Sequence, residues 1–399
     1  MDTTSPVNSV KEIKEMKGQR KNAKKKRRII MNNDGGEATQ SCSTASVEEF
    51  LRCRTSPLLG SQVDTIFYCT SSGFGLFSHY NEVAEIFTTK KGIFSKNITN
   101  DLIEQGTDPL KIMVGFCREH AIEIFWSMRM NDTHDSYTDE MFSENHWKQE
   151  HPEFLMGKKE DNFPFGANQW AAVNYALPDV RERAFRIIQD VCMRYDVDGI
   201  EMDFFRHPHY FKNQMLGEEV TQENCDMLTD LIKRVRKMTE EVAIDKGHPI
   251  LIATRVPDSV GYAKAIGIDL VRWLEEGLVD IVIGSGYFQL EPWENFVALG
   301  KPYEVQMYAG LSGSRLVSAK DPCDEGDIQI WRGEAYKAWK AGVDGIYTFN
   351  RFDPRDPIFR ELGSIEVLEG LEKKLSSAPV VPKNKINNWL KDGKEFMKL

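Results

Sequence analysis

The stretch YDVDGIEMDFFRHP, residues 195–208, decides the fold assignment of this chain. Within it, large apolar residues alternate with Glu201 and Asp203, which is the two-residue period of a β-strand. Alternation places both carboxylates on one face of the strand, and Arg206 and His207 follow its C-terminal end. Carboxylates on a buried strand are costly unless they have a role, and barrel enzymes carry their chemistry at C-terminal strand ends. The stretch therefore predicts a buried strand that contributes to a functional site.

A structural interpretation of the same acids stays open. In that case Glu201 pairs with Arg206 or with another cation inside the barrel, as buried charges usually do. Two acids on one face, followed directly by arginine and histidine, favour the functional interpretation.

Eight short β-like segments run through the chain, and most are separated by a helix-like segment. They are residues 28–33, 63–70, 122–130, 199–205, 250–256, 279–284, 303–308 and 345–351. Strands that alternate with helices predict a parallel sheet. Eight such units, without a GxGxxG turn, predict an α/β protein with a closed (β/α)8 TIM barrel rather than an open dinucleotide-binding sheet.

Two connections are longer than a barrel loop needs to be, at residues 71–107 after strand two and 131–177 after strand three. Loops of this length are usually functional. Because both follow C-terminal strand ends, we expect them to fold over the same mouth of the barrel. They are rich in aromatic residues, whose faces suit the C–H faces of sugar rings, although most of these aromatics equally fit small cores under the loops.

Composition and charge set further limits on this chain of 399 residues. The net charge of −10 argues against nucleic-acid binding. The sequence shows neither an apolar run long enough for a membrane span nor a signal-peptide core. As written, it predicts a cytoplasmic protein without membrane contact, unless a mis-assigned start hides a signal peptide. The seven scattered cysteines have no zinc-type spacing.

We expect three parts in the chain. Residues 1–26 form a disordered basic tail, residues 27–375 the barrel and residues 376–399 a C-terminal extension. We interpret the basic run at residues 24–28 as the solvated end of the tail, which leads into the first strand. A nuclear-localisation or polyanion-binding patch is the alternative.

Several segments are similar to a known group of proteins. AVNYA at residues 172–176, PDVRE at 178–182, RYDVDGI at 194–200 and WKAGVDGIY at 339–347 resemble the family-10-like glycosyl hydrolase-like TIM barrels. The resemblance spans about residues 28–375. It implies a hydrolase that cleaves glycosidic bonds of a poly- or oligosaccharide. The chain departs from the family's pattern where Tyr175 replaces the more usual proline and where Glu201 stands in place of a frequent histidine.

Glycoside hydrolysis normally needs two carboxyl groups, about 5–5.5 Å apart in retaining enzymes and about 6.5–9.5 Å apart in inverting ones. We expect Asp203 to be the nucleophile or the stabiliser of the transition state, because it lies nearer the mouth. Glu201 lies one layer deeper, so we expect a raised pKa and an orienting or proton-sharing role. The candidates for the partner carboxylate are, in order, Asp258, Glu304, and then Asp34 or Asp353.

Substrate-binding roles are expected for polar and aromatic residues around the strands. They are Arg206, His207, Arg129, Asn131, Asn174, Trp126, Asp34 and Tyr347. Arg206 either holds Asp203 ionised or binds a substrate carboxylate or sulfate with two N–H groups. Arg129 is alternatively the counter-ion of Glu201, and His207 is alternatively an acid/base.

We expect no cofactor and no metal. No HExxH or comparable spacing supports a metal centre, and no GxSxG turn supports a serine nucleophile. Two other functions stay open. One is a barrel that binds carbohydrate without cleaving it because the second carboxylate is lost, and the other is a metal-assisted hydrolase.

Overall fold

Eight parallel strands close into a barrel in the computed structural model, which describes residues 10–166, 169–316, 327–375 and 383–399. Each strand pairs with the next along the chain, and β1 pairs with β8 to close the ring. The strands are β1 Ile29–Asn33, β2 Val63–Cys69, β3 Glu123–Arg129, β4 Gly199–Asp203, β5 Leu251–Val256, β6 Ile281–Gly284, β7 Gln306–Ser312 and β8 Gly345–Phe349. The chain is a (β/α)8 barrel, so the predicted fold class is confirmed.

Helices surround the barrel and bury its outer face. The α-helices are Val10–Asn22, Val47–Arg54, Thr99–Glu104, Pro109–Glu119, Asp139–Phe142, His146–Glu150, Pro178–Arg194, Lys212–Leu216, Gln222–Lys246, Val260–Ala265, Leu270–Glu275, Trp293–Gly300, Gly313–Leu316, Ile328–Ala341, Ile358–Glu361, Ile365–Glu369 and Lys383–Trp389. The helix Pro178–Arg194 begins at a proline, whose missing N–H costs nothing in the first turn, and it buries an apolar stripe against the barrel. None of the helices in the described ranges combines the length and the apolarity that a membrane crossing requires.

Seven of the eight strands lie within about two residues of their predicted bounds. The exception is β7, which begins three residues later than predicted. A 3₁₀ turn at Lys301–Tyr303 replaces the start of the predicted strand, because Pro302 favours such a turn, and β7 begins only at Gln306. Glu304 therefore lies outside the barrel, with 81 % of its side chain exposed, where it pairs with Lys24. The prediction that Glu304 belongs to a barrel strand was wrong.

The pairing of β3, β4 and β5 arranges the barrel interior in layers. Ser127, Glu201 and Ala253 occupy matching positions on the three strands. Two residues further along, Arg129, Asp203 and Arg255 occupy the next matching positions, nearer the C-terminal ends. Both faces of β4 are buried. The alternation seen in the sequence thus places Glu201 and Asp203 inside the barrel, one layer apart.

The two long loops fold over the C-terminal mouth of the barrel. The loop after β2 forms a small sheet of the strands Ser71–Gly73, Leu76–Phe77 and Glu85–Ile86. The loop after β3 carries the short helices Asp139–Phe142 and His146–Glu150. The two loops are joined where Asn145 donates to the Phe74 carbonyl at 2.9 Å. Within the second loop, buried Lys148 pairs with buried Asp135 at 2.9 Å.

The expectation of a disordered tail was wrong for residues 10–22, which form a helix. This helix packs on Gln222–Lys246, and Arg20 pairs with Glu240 at 3.0 Å and with Asp280 at 3.4 Å. The basic run that follows is not wholly solvated either. Arg27 is fully buried and donates to Glu123 at 2.8 Å, closing the N-terminal end of the barrel. Residues 1–9 lie outside the described part of the chain.

The expected C-terminal extension lies against the mouth of the barrel where it is described, at residues 383–399. The ring of Trp389 lies 5.1 Å from the ring of Tyr287, and the Phe396 ring lies 5.9 Å from that of Tyr262. The Asn388 carbonyl accepts a hydrogen bond from the Gly166 N–H at 2.6 Å. The three-part division of the chain itself stays a prediction.

Candidate functional site

A cavity of about 500 Å³ opens at the C-terminal ends of β1 to β4, under the two long loops. Its floor includes Asp34 after β1, Arg129 at the end of β3 and Arg206 after β4. Loop residues such as Lys91, Tyr137 and Glu140 complete the wall. Of the predicted site residues, the cavity brings together Asp34, Arg129 and Arg206.

Asp203 lies beside this cavity, where N–H donors surround its carboxylate. Arg255 donates from Nε to Oδ1 at 3.0 Å and from Nη2 to Oδ2 at 2.7 Å. The backbone N–H groups of Phe205 and Arg206 also donate to Oδ1, at 2.9 and 3.0 Å. Arg255 is fully buried and Asp203 is 1 % exposed. The two-pronged partner of Asp203 is therefore Arg255, and Arg206 contributes only its backbone N–H.

Glu201 lies one layer below Asp203 and is fully buried. Its Oε2 accepts a hydrogen bond from the Ser127 hydroxyl on β3. Burial, reinforced by the negative charge of Asp203, raises the pKa of Glu201 to about 7. The positive charge of Arg255, followed by Ser127 and the neighbouring Tyr347, moderates this rise. Glu201 is a structural or proton-sharing group under the site, because it does not reach the cavity wall.

Asp34 is the acidic side chain at a strand end that faces the cavity. Its Oδ1 accepts from the Gly36 N–H at 3.1 Å and from Arg54, and 28 % of the side chain is exposed. Burial by itself would raise the pKa of Asp34, but the charges of Arg54 and Arg129 outweigh it and hold that pKa below its usual value. Gly35 makes the turn possible, because φ is +75° and a Cβ there would lie 2.3 Å from the Cys69 carbonyl oxygen.

Arg129 lies among three carboxylates at the cavity floor. Its Nη1 donates to Asp132 Oδ2 at 3.3 Å, while its Nε is buried and has no hydrogen-bond partner within the described ranges. Burial alone would lower the pKa of Arg129, but nearby acidic groups, including Asp132, Asp34 and Asp203, raise it. These contacts place Arg129 with the cavity carboxylates rather than with Glu201.

A chain of hydrogen bonds runs along the cavity wall from Asp132 to Arg206. His134 Nδ1 bonds to Asp132 Oδ1, and His134 Nε2 accepts from Arg206 Nη2 at 2.7 Å. Arg206 Nη1 donates to the Tyr287 hydroxyl. Burial, followed by the positive charges of Arg129 and Arg255, lowers the pKa of Arg206 to about 10.

Asp132, His134 and His207 are the described residues that could hold a metal ion, because one ligand atom of each lies within 4.8 Å of the others. All three already take part in hydrogen bonds. The Thr133 N–H donates to His207 Nδ1 at 3.2 Å, in addition to the Asp132–His134 and Arg206–His134 bonds. A cation here would displace Arg206 from His134 and would lie close to Arg129, so the surroundings oppose it.

The other predicted site residues serve the framework. Asp258 accepts from the backbone N–H groups of Leu290 and Glu291, both at 2.9 Å. Asn131 ties the long loop to Val173 through bonds of 2.9 and 2.8 Å. None of the remaining predicted residues lines the cavity. Trp126, Tyr347 and His207 are buried and lie against Thr70, Glu201 and Thr133, respectively. Asn174 and exposed Asp353 accept hydrogen bonds in local turns, from the N–H groups of Ala176 and Arg355.

Sequence reasoning missed several residues of the site. Arg255 was detectable, since it alternates with Ala253 on a predicted strand and so points into the barrel. Asp132 and His134 stand directly after a strand end, with the spacing D-x-H. Arg54 and Glu140 gave no comparable signal, because they reach the site from a helix and from a long loop.

Comparisons with known proteins agree with this architecture. The family model described as Glycosyl hydrolase-like 10 matches residues 80–239, which confirms the resemblance drawn from the sequence. No curated protein sequence matches the chain.

Two solved structures share the fold. The α-L-fucosidase isoenzyme 2 from Paenibacillus thiaminolyticus is 13 % identical with a TM-score of 0.51, over 86 % of this chain and 49 % of that one. The PgaB (BpsB) glycoside hydrolase domain from Bordetella bronchiseptica is 10 % identical with a TM-score of 0.53, over 86 % of this chain and 99 % of that one. This chain thus spans about half the length of the fucosidase. Identities this low establish the barrel fold alone.

Proposed function

We propose that this protein is a glycoside hydrolase whose substrate binds in the cavity over β1 to β4. The observation that carries the proposal is that two carboxyl groups, Asp34 and Glu140, line one cavity at the mouth of the barrel. Two carboxyl groups are what glycosidic hydrolysis requires. The match of residues 80–239 to the glycosyl hydrolase-like family supports the same reaction class.

Asp34 suits the role of nucleophile or general base. Its pKa is held below the usual value by Arg54 and Arg129, so the group is ionised at neutral pH. Its position on a rigid strand end, with a backbone N–H at 3.1 Å, fixes its direction. Glu140 approaches from the loop helix Asp139–Phe142 and supplies the proton to the leaving oxygen.

Asp203 and Glu201 are assigned supporting roles in this proposal. The four N–H donors around Asp203 fix the turn that carries Arg206, which makes Asp203 a positioning residue. Glu201 holds a proton beneath it. Asp258 accepts hydrogen bonds from two backbone amides, so the role of partner carboxylate is assigned to Glu140 instead.

The test is hydrolysis of a broad panel of polysaccharides, oligosaccharides and aryl glycosides by the wild type, Asp34→Asn and Glu140→Gln. We expect each substitution to lower turnover by about 10²- to 10⁴-fold, the usual contribution of a catalytic carboxyl group. Asp64→Asn is the matched control for Asp34, because Asp64 also pairs with an arginine, Arg28, but lies at the start of β2. Asp139→Asn is the control for Glu140, since Asp139 pairs with Lys159 and does not line the cavity.

The outcomes separate the proposal from its rival. Full turnover in both Asp34→Asn and Glu140→Gln would overturn this assignment of the site. A wild type that binds sugars but hydrolyses none would point to a barrel that binds without cleaving. That rival gains support from Asp203 and Asp258, whose carboxylates are occupied by framework hydrogen bonds.

A further inference from the structure

Four arginine side chains surround the cavity floor, and three of them form an ion pair with an aspartate. The three pairs are Arg54–Asp34, Arg129–Asp132 and Arg255–Asp203. The fourth arginine, Arg206, forms no ion pair with any acidic residue in the parts of the chain that the structure describes. Arg206 is therefore the one arginine of these four that has no acidic partner among the described residues.

The hydrogen bonds of Arg206 go to neutral groups. Its Nη1 donates to the Tyr287 hydroxyl and its Nη2 to the imidazole of His134, and its Nε is buried with no hydrogen-bond partner among the residues that the structure describes. Arg206 is half-buried, and a guanidinium partly removed from water that has only neutral partners costs more free energy than one paired with a carboxylate. Such a group is retained when a ligand supplies the missing charge.

The structure also holds Arg206 in place before any ligand arrives. Asp203 accepts from the N–H groups of Phe205 and Arg206 at 2.9 and 3.0 Å, which fixes the turn. The guanidinium carbon lies 5.6 Å from the ring centre of Tyr287 and 6.0 Å from that of Phe349. A side chain fixed in this way loses little entropy when it binds a ligand.

Arg129 adds a second donor on the same floor. In the described part of the chain its Nε is buried without a hydrogen-bond partner, and its ion pair to Asp132 is long at 3.3 Å. Lys91 lines the wall of the same cavity. An arginine offers only N–H donors and no acceptor, so it matches carboxylate or sulfate oxygens better than hydroxyl groups, which both donate and accept.

From these contacts we infer that the substrate is an anionic carbohydrate, whose carboxylate or sulfate oxygens bind Arg206 and Arg129 at the cavity floor. That the ligand is a carbohydrate rests on the proposed function. That it is anionic rests on Arg206, which has no acidic partner among the described residues. Uronic acids and sulfated sugars share this chemistry, and the experiment distinguishes them.

The test measures binding by calorimetry, so it does not depend on turnover. Galacturonate oligomers are compared with their methyl esters, and sulfated galactan oligosaccharides with their desulfated forms. We expect the wild type to bind one anionic member at least about tenfold more tightly than its neutral counterpart, as a charge-assisted pair provides. The better anionic member identifies the carboxylate or the sulfate as the natural group.

Arg206→Gln removes the charge but keeps hydrogen-bonding capacity, and we expect it to abolish this preference for the anionic sugars. Arg206→Lys keeps the charge and should retain part of the preference. The control is Arg234→Gln, which alters an exposed arginine paired with Glu182 on the outer helices. Equal binding of anionic and neutral sugars, or no binding of either, by the wild type overturns the inference, as does an unchanged preference in folded Arg206→Gln.

Sodium sulfate offers a second probe that needs no sugar. Sulfate stabilises most proteins by exclusion from their surface, so the informative quantity is the difference in melting temperature between variants. We expect sulfate to stabilise the wild type and Arg234→Gln more than Arg206→Gln at equal ionic strength. Anion binding without hydrolysis would contradict the proposed glycoside hydrolase but support the anionic substrate. Hydrolysis of neutral sugars alone would support the hydrolase but contradict the anionic substrate.

Discussion

The two halves of the barrel mouth differ in what fills them. The half over β1 to β4 contains the cavity and its charged residues, and we call it the polar half. The other half is filled by the rings of Phe205, Tyr287, Phe288, Phe349 and Trp389, and we call it the aromatic half. Parallel strands bring eight loops to one mouth, and among the described residues this cavity lies on one half of it.

Arg255 lies at the boundary between the halves. Its N–H groups bind Asp203, while its guanidinium carbon lies 3.8 Å from the ring centre of Phe349. Tyr287 makes a similar link, because it accepts from Arg206 and contacts Trp389. The aromatic half therefore supports the groups that position the charges of the polar half.

The boundary is the place where one substitution should have the largest effect. Arg255→Met leaves the Asp203 carboxylate buried without two of its four donors. We expect the free energy of unfolding to fall by about 3–5 kcal/mol, the cost of breaking a buried ion pair. Urea denaturation measures this loss.

The control for this substitution is Arg234→Met on the surface, where an exposed ion pair contributes less than about 1 kcal/mol. A loss in Arg255→Met as small as in this control would show that Asp203 does not depend on Arg255. The double variant Asp203→Asn/Arg255→Met should recover part of the loss, because it leaves no carboxylate unpaired.

The buried layer under the polar half predicts a pH effect of intermediate size. The pKa of Glu201 is raised to about 7 by burial and by Asp203, so the folded protein keeps a proton that the unfolded chain releases near about pH 4.3. The contribution of Glu201 to stability is therefore full below the unfolded pKa and is lost as the pH rises to the folded pKa.

Glu201→Gln removes this dependence. Relative to the wild type, the variant should gain at most about 3 kcal/mol in unfolding free energy between about pH 5 and about pH 8. Urea denaturation at the two pH values measures the change. Parallel pH curves for the two proteins would mean that Glu201 ionises normally in the fold.

Two substitutions with the smallest expected effects, one in each half of the mouth, test the difference between the halves most directly. Trp389→Ala removes a half-buried ring from the aromatic half, and we expect a loss of about 1–3 kcal/mol in unfolding free energy with sugar affinity nearly unchanged. Tyr137→Ala, in the polar half, should do the opposite, because Tyr137 lines the cavity and is 59 % exposed. Chemical denaturation measures the stability of both variants, and calorimetry measures their affinity for sugar. If the two variants lose the same stability and the same affinity, the two halves of the mouth do not have different roles.

The strands and helices followed from local patterns, with one instructive exception. Alternation at Gly199–Asp203 predicted the strand that is present. Around Tyr303 the same apolar pattern misled, because Pro302 and the left-handed backbone of Glu304 (φ 53°) form a turn there instead.

The site was predicted less completely than the fold. Asp34, Arg129 and Arg206 were identified from their positions after strands, and they meet in the cavity. Glu140 was not identified, because a loop residue carries no periodic signal that fixes where it lies. Asp258 was identified from position alone, but its carboxylate is used by the backbone of residues 290 and 291.

The sequence by itself determined which segments are strands, that they alternate with helices, and that Glu201 and Asp203 face the barrel interior. Side-chain periodicity is a local property of the backbone, so neighbouring residues are enough to reveal it. Only the tertiary structure decided that Asp203 pairs with Arg255, 52 positions away, and that Arg206 has no acidic partner within the described ranges. Ion pairing depends on strand register and on where the long loops fold, and both are set by packing across the whole barrel.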